Sequence, residues 1–377
     1  MKNICIVLGT RPEAIKLAPL IVELKKSSRY KVLVCNTEQQ KELSNQTLKY
    51  FGVVADMSLD CMRENQQLFD THIRLLEALN KILNEQKIDA IIVQGDTLTA
   101  YCGAISAFFR KIPVFHVEAG LRSYNLSEPY PEELLRQVIS RIATLHFCPT
   151  NRSRDNLLQE SISSKKIYVT GNTVIDALFS LKSKEIALAE KKLEDMGICL
   201  QANNVLVTVH RRENHGSKLI NIVNAIYALA KQHKDFSFVL PVHPNPNVHD
   251  VIYDKLGGEY NIKLLPPLDY PVIVTLLKEG VRLVITDSGG LQEEAPTFGI
   301  PVLIIREKTE RTEGIESGCA ELIGTNENDI IRIADSYIRN ISRGKRLSGR
   351  RNPYGNGNSS SIIVSCIDEY FEYKGKN

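Results

Sequence analysis

Three carboxylates stand where proton transfer could take place. Asp96 closely follows the apolar run AIIVQ, Glu118 lies near the end of the apolar stretch VFHVEAG, and Glu132 opens the segment EELLRQ beside Glu133. A carboxylate at the end of an apolar strand is costly to desolvate unless it has a task. General acid–base catalysis needs groups of this kind. We therefore interpret Asp96, Glu118 and Glu132 as candidates for proton transfer.

Plain structural roles remain open for some of these residues. Glu132 and Arg136 are four positions apart and share one helix face, so they could simply form an ion pair. His116 lies two residues before Glu118 on the same strand face. It could be either a hydrogen-bonded core histidine or a residue of the site.

A second set of residues suits an anionic ligand. Ser288, Gly289 and Gly290 follow the apolar run LVITD and open a helix, where backbone N–H groups and the helix dipole favour a diphosphate. A plain strand–helix turn with a serine cap is the alternative. Glu294, four residues after Gly290, could accept from two ribose hydroxyls or complement the helix dipole.

Short β-branched runs alternate with helical patterns along most of the chain, which predicts parallel, doubly wound α/β sheets. We expect two such Rossmann-like domains facing a cleft. Between them runs a linker-like helix over 181–196. The predicted strands are Ile4–Leu8, Val32–Asn36, Ala90–Gln94, Val114–Glu118, Leu145–Pro149, Ile167–Gly171, Leu206–Val209, Ser237–Val242, Ile262–Leu265, Leu283–Thr286 and Val302–Ile305.

Ligands of open α/β sheets bind beyond the carboxyl ends of the strands. Six predicted strands are followed by polar or charged residues, and although any one could be a turn, six together favour a common site. Neither GxGxxG nor GxxxxGK[ST] follows any strand, so we expect a nucleotide site without a dinucleotide cofactor. With no DxD cluster and no His or Cys ligand spacing, we expect no metal either.

The bulk composition is that of an ordinary soluble protein. The 377 residues suit two domains, and a net charge of +3 is too weak to predict nucleic-acid or membrane binding. Eight cysteines without a CxxC pair indicate free thiols in a reducing compartment. MKNICIVLG lacks a signal-peptide pattern, and no apolar run approaches the ~20 residues that span a bilayer. We expect a cytoplasmic protein, and interpret the basic run Arg343–Arg351 as a solvated loop.

A series of longer motifs resembles the non-hydrolysing UDP-N-acetylglucosamine 2-epimerase family over essentially the whole chain. The motifs are GTRPEAIKLAPL (9–20), QGDT (94–97), HVEAGLR (116–122), PEE (131–133), TGNTVIDAL (170–178), HRREN (210–214), PVHPNPNV (241–248), TDSGGLQEEAP (286–296), TER (309–311) and NPYGNG (352–357). The resemblance implies a glycosyltransferase-B-like fold with an N-terminal domain of residues 1–170, completed by a last helix at 358–377, and a UDP-binding domain of residues 171–357. It also implies a homodimer.

The resemblance further implies site residues. The positions that match the family's catalytic residues are Asp96, Glu118, Glu132 and His210. The positions that match its UDP- or sugar-binding residues are Arg11, Lys16, Gln39, Arg136, His243, Ser288, Gly289, Gly290, Glu294 and Arg311. The departures from the family pattern that bear on substrate preference are Gln40, Leu135, Ile273 and Thr312. Asn65, where some members carry Arg, bears on activation by substrate.

The implied activity is the interconversion of UDP-N-acetylglucosamine and UDP-N-acetylmannosamine. Carbon 2 of such a sugar is not next to a carbonyl, so a base cannot simply remove its proton. One route oxidises a neighbouring hydroxyl with NAD, whose fingerprint is missing here. The other expels UDP while carbon 2 loses its proton, and this route needs carboxylates and cations. Alternatives are a hydrolysing epimerase, a glycosyltransferase of the same fold and a non-catalytic UDP-sugar sensor.

Overall fold

The computed structural model describes residues 1–62, 67–343 and 352–374, without the side chains of Arg212 and Lys374. Asn65 and residues 344–351 of the basic run lie outside the described residues. The contacts divide the chain into two compact units, Met1–Leu181 with Tyr354–Asn377, and Lys182–Pro353. The sequence-based domain boundaries were 170/171 and 357/358.

The first unit is built on a parallel sheet. Over the described residues its strand order is β3-β2-β1-β4-β5-β6-β7. This order reverses between β1 and β4, which is the topological switch point of a Rossmann-like fold. The strands are β1 (Lys2–Leu8), β2 (Tyr30–Asn36), β3 (Met57–Ser58), β4 (Ala90–Gln94), β5 (Val114–Val117), β6 (Leu145–Cys148) and β7 (Ile167–Val169).

The helices of this unit begin where the sequence supplies caps. Thr97 accepts from the backbone N–H of Ala100 at 2.9 Å and caps α4, and Thr150 does the same for Ser153 in α6 at 3.1 Å. The first seven helices are α1 (Arg11–Lys25), α2 (Lys41–Tyr50), α3 (Leu68–Glu85), α4 (Leu98–Phe108), α5 (Glu132–Ile142), α6 (Asn151–Gln159) and α7 (Thr173–Phe179). Since α7 packs against α1, residues 171–181 belong to the first compact unit.

The second unit repeats the arrangement. Its described sheet has the order β10-β9-β8-β11-β12-β13, again parallel, with the switch point between β8 and β11. The strands are β8 (Asn203–Thr208), β9 (Phe236–Pro241), β10 (Ile262–Leu265), β11 (Val281–Thr286), β12 (Val302–Ile304) and β13 (Ala320–Leu322). The helices are α8 (Ser183–Asp195), α9 (Ser217–Gln232), α10 (Pro246–Leu256), α11 (Tyr270–Thr275), α12 (Gly289–Glu294), α13 (Thr312–Glu316) and α14 (Glu327–Ser342).

Both faces of the second sheet are buried. Val205 and Val207 belong to one core cluster, while Leu206 between them belongs to another. Because successive side chains of a strand point to opposite faces, the two clusters lie on the two sides of the sheet. The predicted linker helix is α8, which buries Ala189 and Leu193 in the second cluster.

The last helix, α15 (Ser359–Lys374), belongs to the first unit, where it packs against α1 and α7. Tyr370 meets Phe115 of β5 edge to face, with ring centroids 5.3 Å apart. Arg29 pairs with Asp368 at 3.0 Å. Aromatic packing and this ion pair fix α15 against the first unit.

Candidate active site

In the first unit, Glu13 joins the ends of two neighbouring strands. Its Oε2 accepts from the backbone N–H of Gly9 at 3.1 Å and of Thr10 at 2.8 Å, which completes a capping box at the start of α1. Its Oε1 accepts from the hydroxyl of Thr97 at 2.7 Å, after β4. Burial raises the pKa of Glu13 to about 7, against the lowering effect of these hydrogen bonds. Sequence reasoning missed this role, although the pattern T-x-x-E was the signal.

Arg11 and Gln39 lie beside the same turn. The backbone N–H of Arg11 donates to Gln40 Oε1 at 2.9 Å, and the hydroxyl of Thr99 donates to Gln39 Oε1 at 2.9 Å. Only glycine fits at position 9 next to the hydroxyl of Thr99, because a Cβ there would lie 2.7 Å from Thr99 Oγ1. The two predicted binding residues are therefore held at the carboxyl end of β1.

Glu118 follows β5 directly and has a strained backbone, with φ of 61°. Lys16 Nζ lies 2.6 Å from Glu118 Oε1 and 2.7 Å from Oε2. The amides of Gln94 and Asn172 also donate to this carboxylate, the latter at 3.3 Å. Backbone strain of this kind costs about 1–3 kcal/mol and is concentrated at functional sites. Sequence reasoning named Glu118 and Lys16 but missed Gln94 and Asn172.

His116 lies on β5, two residues before Glu118, and is a core residue. Its ring is fully buried, and Nε2 is 2.8 Å from the carbonyl oxygen of Gly95, to which it donates as the neutral ring. Burial lowers the pKa of His116 to about 3, so the ring stays neutral. Of the two roles left open by the sequence, the structure favours the hydrogen-bonded core histidine.

Arg136 forms ion pairs with Asp96 and with Glu133. Its guanidinium lies 3.0 Å from Asp96 and 3.5 Å from Glu133, and its Nε donates to the backbone oxygen of Glu132 at 3.4 Å. Glu132 itself is half-buried at the start of α5. Arg136 therefore bridges from α5 to the loop after β4.

Glu133 has a structural task instead. Its carboxylate is fully buried and accepts from the backbone N–H groups of Ser123 at 2.9 Å and Tyr124 at 3.1 Å. Burial acts to raise the pKa of Glu133, but these hydrogen bonds and Arg136 hold it below its ordinary value. Glu133 thus fixes the loop that precedes α5.

In the second unit, His210 follows β8 and rests on a buried aspartate. His210 Nδ1 lies 2.9 Å from Asp287 Oδ1, with the histidine side chain 40% exposed and the aspartate fully buried. Asp287 also accepts from the backbone N–H of Arg211 at 2.9 Å and from Asn214 Nδ2 at 3.0 Å. Sequence reasoning placed Asp287 at a strand end without giving it a role.

His243 lies next to His210. Their rings are stacked with an interplanar angle of 22° and centroids 6.4 Å apart. The backbone N–H of Asn245 donates to His243 Nδ1 at 3.2 Å. Partial burial, and then the neighbouring His210, lower the pKa of His243. The ends of β8 and β9 therefore present two imidazoles side by side.

The predicted diphosphate turn begins α12. Ser288 occupies the N-cap position of α12, but its side chain makes no capping hydrogen bond to this helix. The backbone N–H of Ser288 donates to Thr286 Oγ1 at 2.8 Å. Gly289 is crowded, because a Cβ there would lie 2.8 Å from the guanidinium carbon of Arg311. At Gly290 the nearest atom to an added Cβ is Ser288 Oγ at 4.0 Å. Glu294 ends the helix and is buried.

Arg311 belongs to a cluster of charges around Glu310. It contacts Glu310 directly and lies 2.7 Å from Glu293. Arg306 is 3.2 Å from Glu310, and Arg211 is 3.9 Å away. Although burial acts to raise the pKa of Glu310, the three arginines hold it well below its ordinary value. These guanidiniums therefore lie close together at the carboxyl edge of the second sheet.

The predicted site residues thus divide between the two units. The first unit holds Arg11, Lys16, Gln39, Asp96, Glu118, Glu132 and Arg136, and the second holds His210, His243, Ser288, Gly289, Gly290, Glu294 and Arg311. Within the described residues, no group of three His, Cys, Asp or Glu side chains is arranged to hold a metal. In the same ranges no helix is long and apolar enough to cross a membrane.

Two Rossmann-like units define the chain as a protein of the glycosyltransferase-B-like class. MurG of Acinetobacter baumannii shares this fold, with a TM-score of 0.58 at 14% identity. The sequence model of the family described as UDP-N-acetylglucosamine 2-epimerase matches residues 22–368. The chain belongs to the UDP-N-acetylglucosamine 2-epimerase family.

Relatives from Neisseria meningitidis support this at the levels of sequence and structure. The chain is 43% identical to the UDP-N-acetylglucosamine 2-epimerase of a serogroup A strain, over 96% of this chain and 98% of the relative. It is also similar to the crystal structure of a UDP-GlcNAc 2-epimerase from N. meningitidis bound to UDP-GlcNAc. The TM-score is 0.89 and the identity 41%, over 98% of this chain and 100% of that chain.

Proposed function

We propose that this protein reversibly epimerises UDP-N-acetylglucosamine to UDP-N-acetylmannosamine at carbon 2 by elimination and readdition of UDP, without hydrolysis. The observation that carries the proposal is the buried carboxylate of Glu118. This residue follows β5 with a strained backbone, and its carboxylate is held by Lys16. The family relative with bound UDP-GlcNAc supports the substrate class. A homodimer in the cytoplasm stays a prediction from the sequence.

The elimination step divides into proton and leaving-group chemistry. The C1–O bond breaks with its electron pair going to UDP, a carboxylate takes the proton of carbon 2, and a C1–C2 double bond forms. Asp96, Glu118 and Glu132 are the carboxylates that we assign to proton transfer and to the cationic character at carbon 1. Readdition of UDP with a proton delivered to the opposite face of carbon 2 inverts that centre.

The leaving diphosphate needs donors and positive charge. We assign this task to Arg11, His210 and the start of α12 at Ser288–Gly290. The remaining residues that we assign to substrate binding are Lys16, Gln39, Arg136, His243, Glu294 and Arg311. The guanidinium of Arg311 forms ion pairs with Glu293 and Glu310 in this structure. To bind a ligand, Arg311 would replace these contacts with contacts to the ligand.

The test is a reaction of the purified protein with UDP-N-acetylglucosamine alone, in D₂O. We expect UDP-N-acetylmannosamine as product, with deuterium at carbon 2, and at equilibrium deuterium in both epimers, read by NMR and mass spectrometry. Added NAD should change nothing. Free N-acetylmannosamine formed in step with UDP would instead identify a hydrolysing enzyme. Inertness would contradict the proposal, and a following assay with sugar acceptors would show whether the protein is a transferase.

A further inference from the structure

We propose that Asp287 is a positioning residue for His210, fixing its ring tautomer so that Nε2 is the nitrogen offered to the leaving diphosphate. The inference rests on the proposed function for the part that His210 plays in the reaction. It adds a residue that has so far been given no role in the site.

The geometry of the pair fixes the position of one proton. Asp287 Oδ1 lies 2.9 Å from His210 Nδ1. An ionised carboxylate can only accept hydrogen bonds, so Nδ1 of the ring must carry a proton. The second ring nitrogen, Nε2, is then the one that can meet a ligand. A second proton on the ring goes to Nε2 and makes it a donor to phosphate oxygen.

The surroundings of Asp287 keep it ionised. The side chain is fully buried, yet its oxygens accept from the backbone N–H of His210 at 3.0 Å, the backbone N–H of Arg211 at 2.9 Å and Asn214 Nδ2 at 3.0 Å. Burial alone would raise the pKa of Asp287, but these donors and the His210 ring lower it below its ordinary value. The carboxylate is thus a fixed acceptor.

Sheet order places this carboxylate between two parts of the proposed diphosphate site. Thr208 of β8 and Thr286 of β11 face each other across the switch point, with their hydroxyls 2.6 Å apart. Asp287 follows Thr286 and directly precedes Ser288 at the start of α12. One buried side chain therefore holds the His210–Asn214 segment against the residues that begin α12.

Another His–Asp pair of this unit provides a matched control. His233 Nε2 lies 2.8 Å from Asp335 Oδ1, and Asp335 lies on α14 with its side chain 21% exposed. His233 follows α9 and precedes the amino end of β9, whereas the residues assigned to the site in this unit follow the carboxyl ends of strands or lie on α12 and beyond it. Asp335→Asn should therefore leave both His210 and turnover unchanged.

The experiment is Asp287→Asn, because the amide keeps the shape of the carboxylate. Its oxygen can still accept from the backbone, whereas its NH₂ group facing His210 would donate and would move the ring proton from Nδ1 to Nε2. ¹⁵N NMR of His210 should show this change of tautomer. Turnover should fall about 10²-fold or more, with KM within a few-fold, because the neutral amide no longer supports a ring protonated on both nitrogens, the form that brings positive charge to the leaving diphosphate. In a His210→Gln background, Asp287→Asn should have little further effect.

The outcomes separate this inference from the proposed function. A folded Asp287→Asn protein with an unchanged tautomer or normal turnover would overturn the inference. If that variant does not fold, the wild-type spectrum decides, because a ring without a proton on Nδ1 would equally overturn it. A wild-type protein that shows the Nδ1–H tautomer but makes no UDP-N-acetylmannosamine would refute the proposed function and leave the pairing of Asp287 with His210 intact.

Discussion

Lys16 Nζ lies 2.6 Å from Glu118 Oε1, and both side chains are nearly buried, at 10% and 5% exposed. Breaking a buried ion pair from one side leaves the other charge uncompensated, which costs about 3–5 kcal/mol. We therefore expect Lys16→Met to lower the melting temperature strongly. The double variant Lys16→Met, Glu118→Gln should recover part of the loss, as measured by thermal unfolding. Lys26→Met breaks an ion pair whose lysine is 67% exposed and should change little.

Glu118→Gln separates the chemical role of this carboxylate from its shape. The amide keeps the volume but cannot take a proton, so turnover should fall by roughly 10²-fold or more. UDP affinity, measured by calorimetry, should stay within a few-fold of wild type. The double variant with Lys16→Met should be equally inactive even where its stability recovers. A folded Glu118→Gln protein with normal turnover would assign the ion pair to stability alone.

Glu132 and Glu133 are adjacent but should respond in opposite ways. Glu133 is fully buried and accepts from the backbone at Ser123 and Tyr124, so Glu133→Gln should lower the melting temperature. Glu132 is half-buried at the start of α5, so Glu132→Gln should leave the melting temperature nearly unchanged and lower turnover by roughly 10²-fold. Parallel thermal and kinetic measurements check the contrast, and a reversed pattern would exchange the two roles.

The two glycines of the α12 turn also form a matched pair. A Cβ at Gly289 would meet the guanidinium carbon of Arg311 at 2.8 Å, whereas at Gly290 the nearest atom lies at 4.0 Å. Gly289→Ala should displace Arg311 from Glu293 and cost about 1–3 kcal/mol of stability. Gly290→Ala should leave the free energy of unfolding within about 0.5 kcal/mol of wild type. Denaturant titrations of both variants test this, and equal losses would contradict the crowding argument.

His146 should make the protein sensitive to acid. Burial lowers its pKa from 6.5 to about 4, and neither ring nitrogen has a hydrogen-bond partner among the described residues. The unfolded chain therefore binds the proton more readily, so this contribution to stability is present above pH 6.5 and is lost as the pH falls towards 4.

The variant His146→Leu removes that contribution. When the pH is lowered from 7 to 5, the free energy of unfolding of wild type should change unfavourably by about 1–2 kcal/mol relative to that of His146→Leu. Because Glu13 is common to both proteins, its opposite pH dependence cancels in this difference. His249→Leu, at a histidine whose side chain is 44% exposed, serves as the control. If the free energy of unfolding has the same pH dependence in wild type and His146→Leu, folding does not lower the pKa of His146.

Strand positions could be predicted because these strands are buried on both faces and are continuous apolar runs. Ala90–Gln94 and Ile262–Leu265 have the bounds that the sequence indicated, and Lys2–Leu8 is two residues longer. The short strands Met57–Ser58 and Ala320–Leu322 were not predicted, since two or three residues carry no periodic signal. Helix starts followed the local caps, as at Thr10 and Thr97.

The partners of the site residues could not be predicted in the same way. From local spacing, Arg136 could pair with Glu132 on one helix face, but the structure pairs its guanidinium with Asp96, which follows another strand. Lys16 and Glu118 are 102 positions apart, and His210 and Asp287 meet across 77. Spacing along the chain indicated which residues end each strand, such as Glu118, His210 and Asp287, whereas Lys16, within α1, was named through the family resemblance. Which strand ends become neighbours depends on the order of strands in the sheet, and that order is set by packing and by crossovers between distant segments.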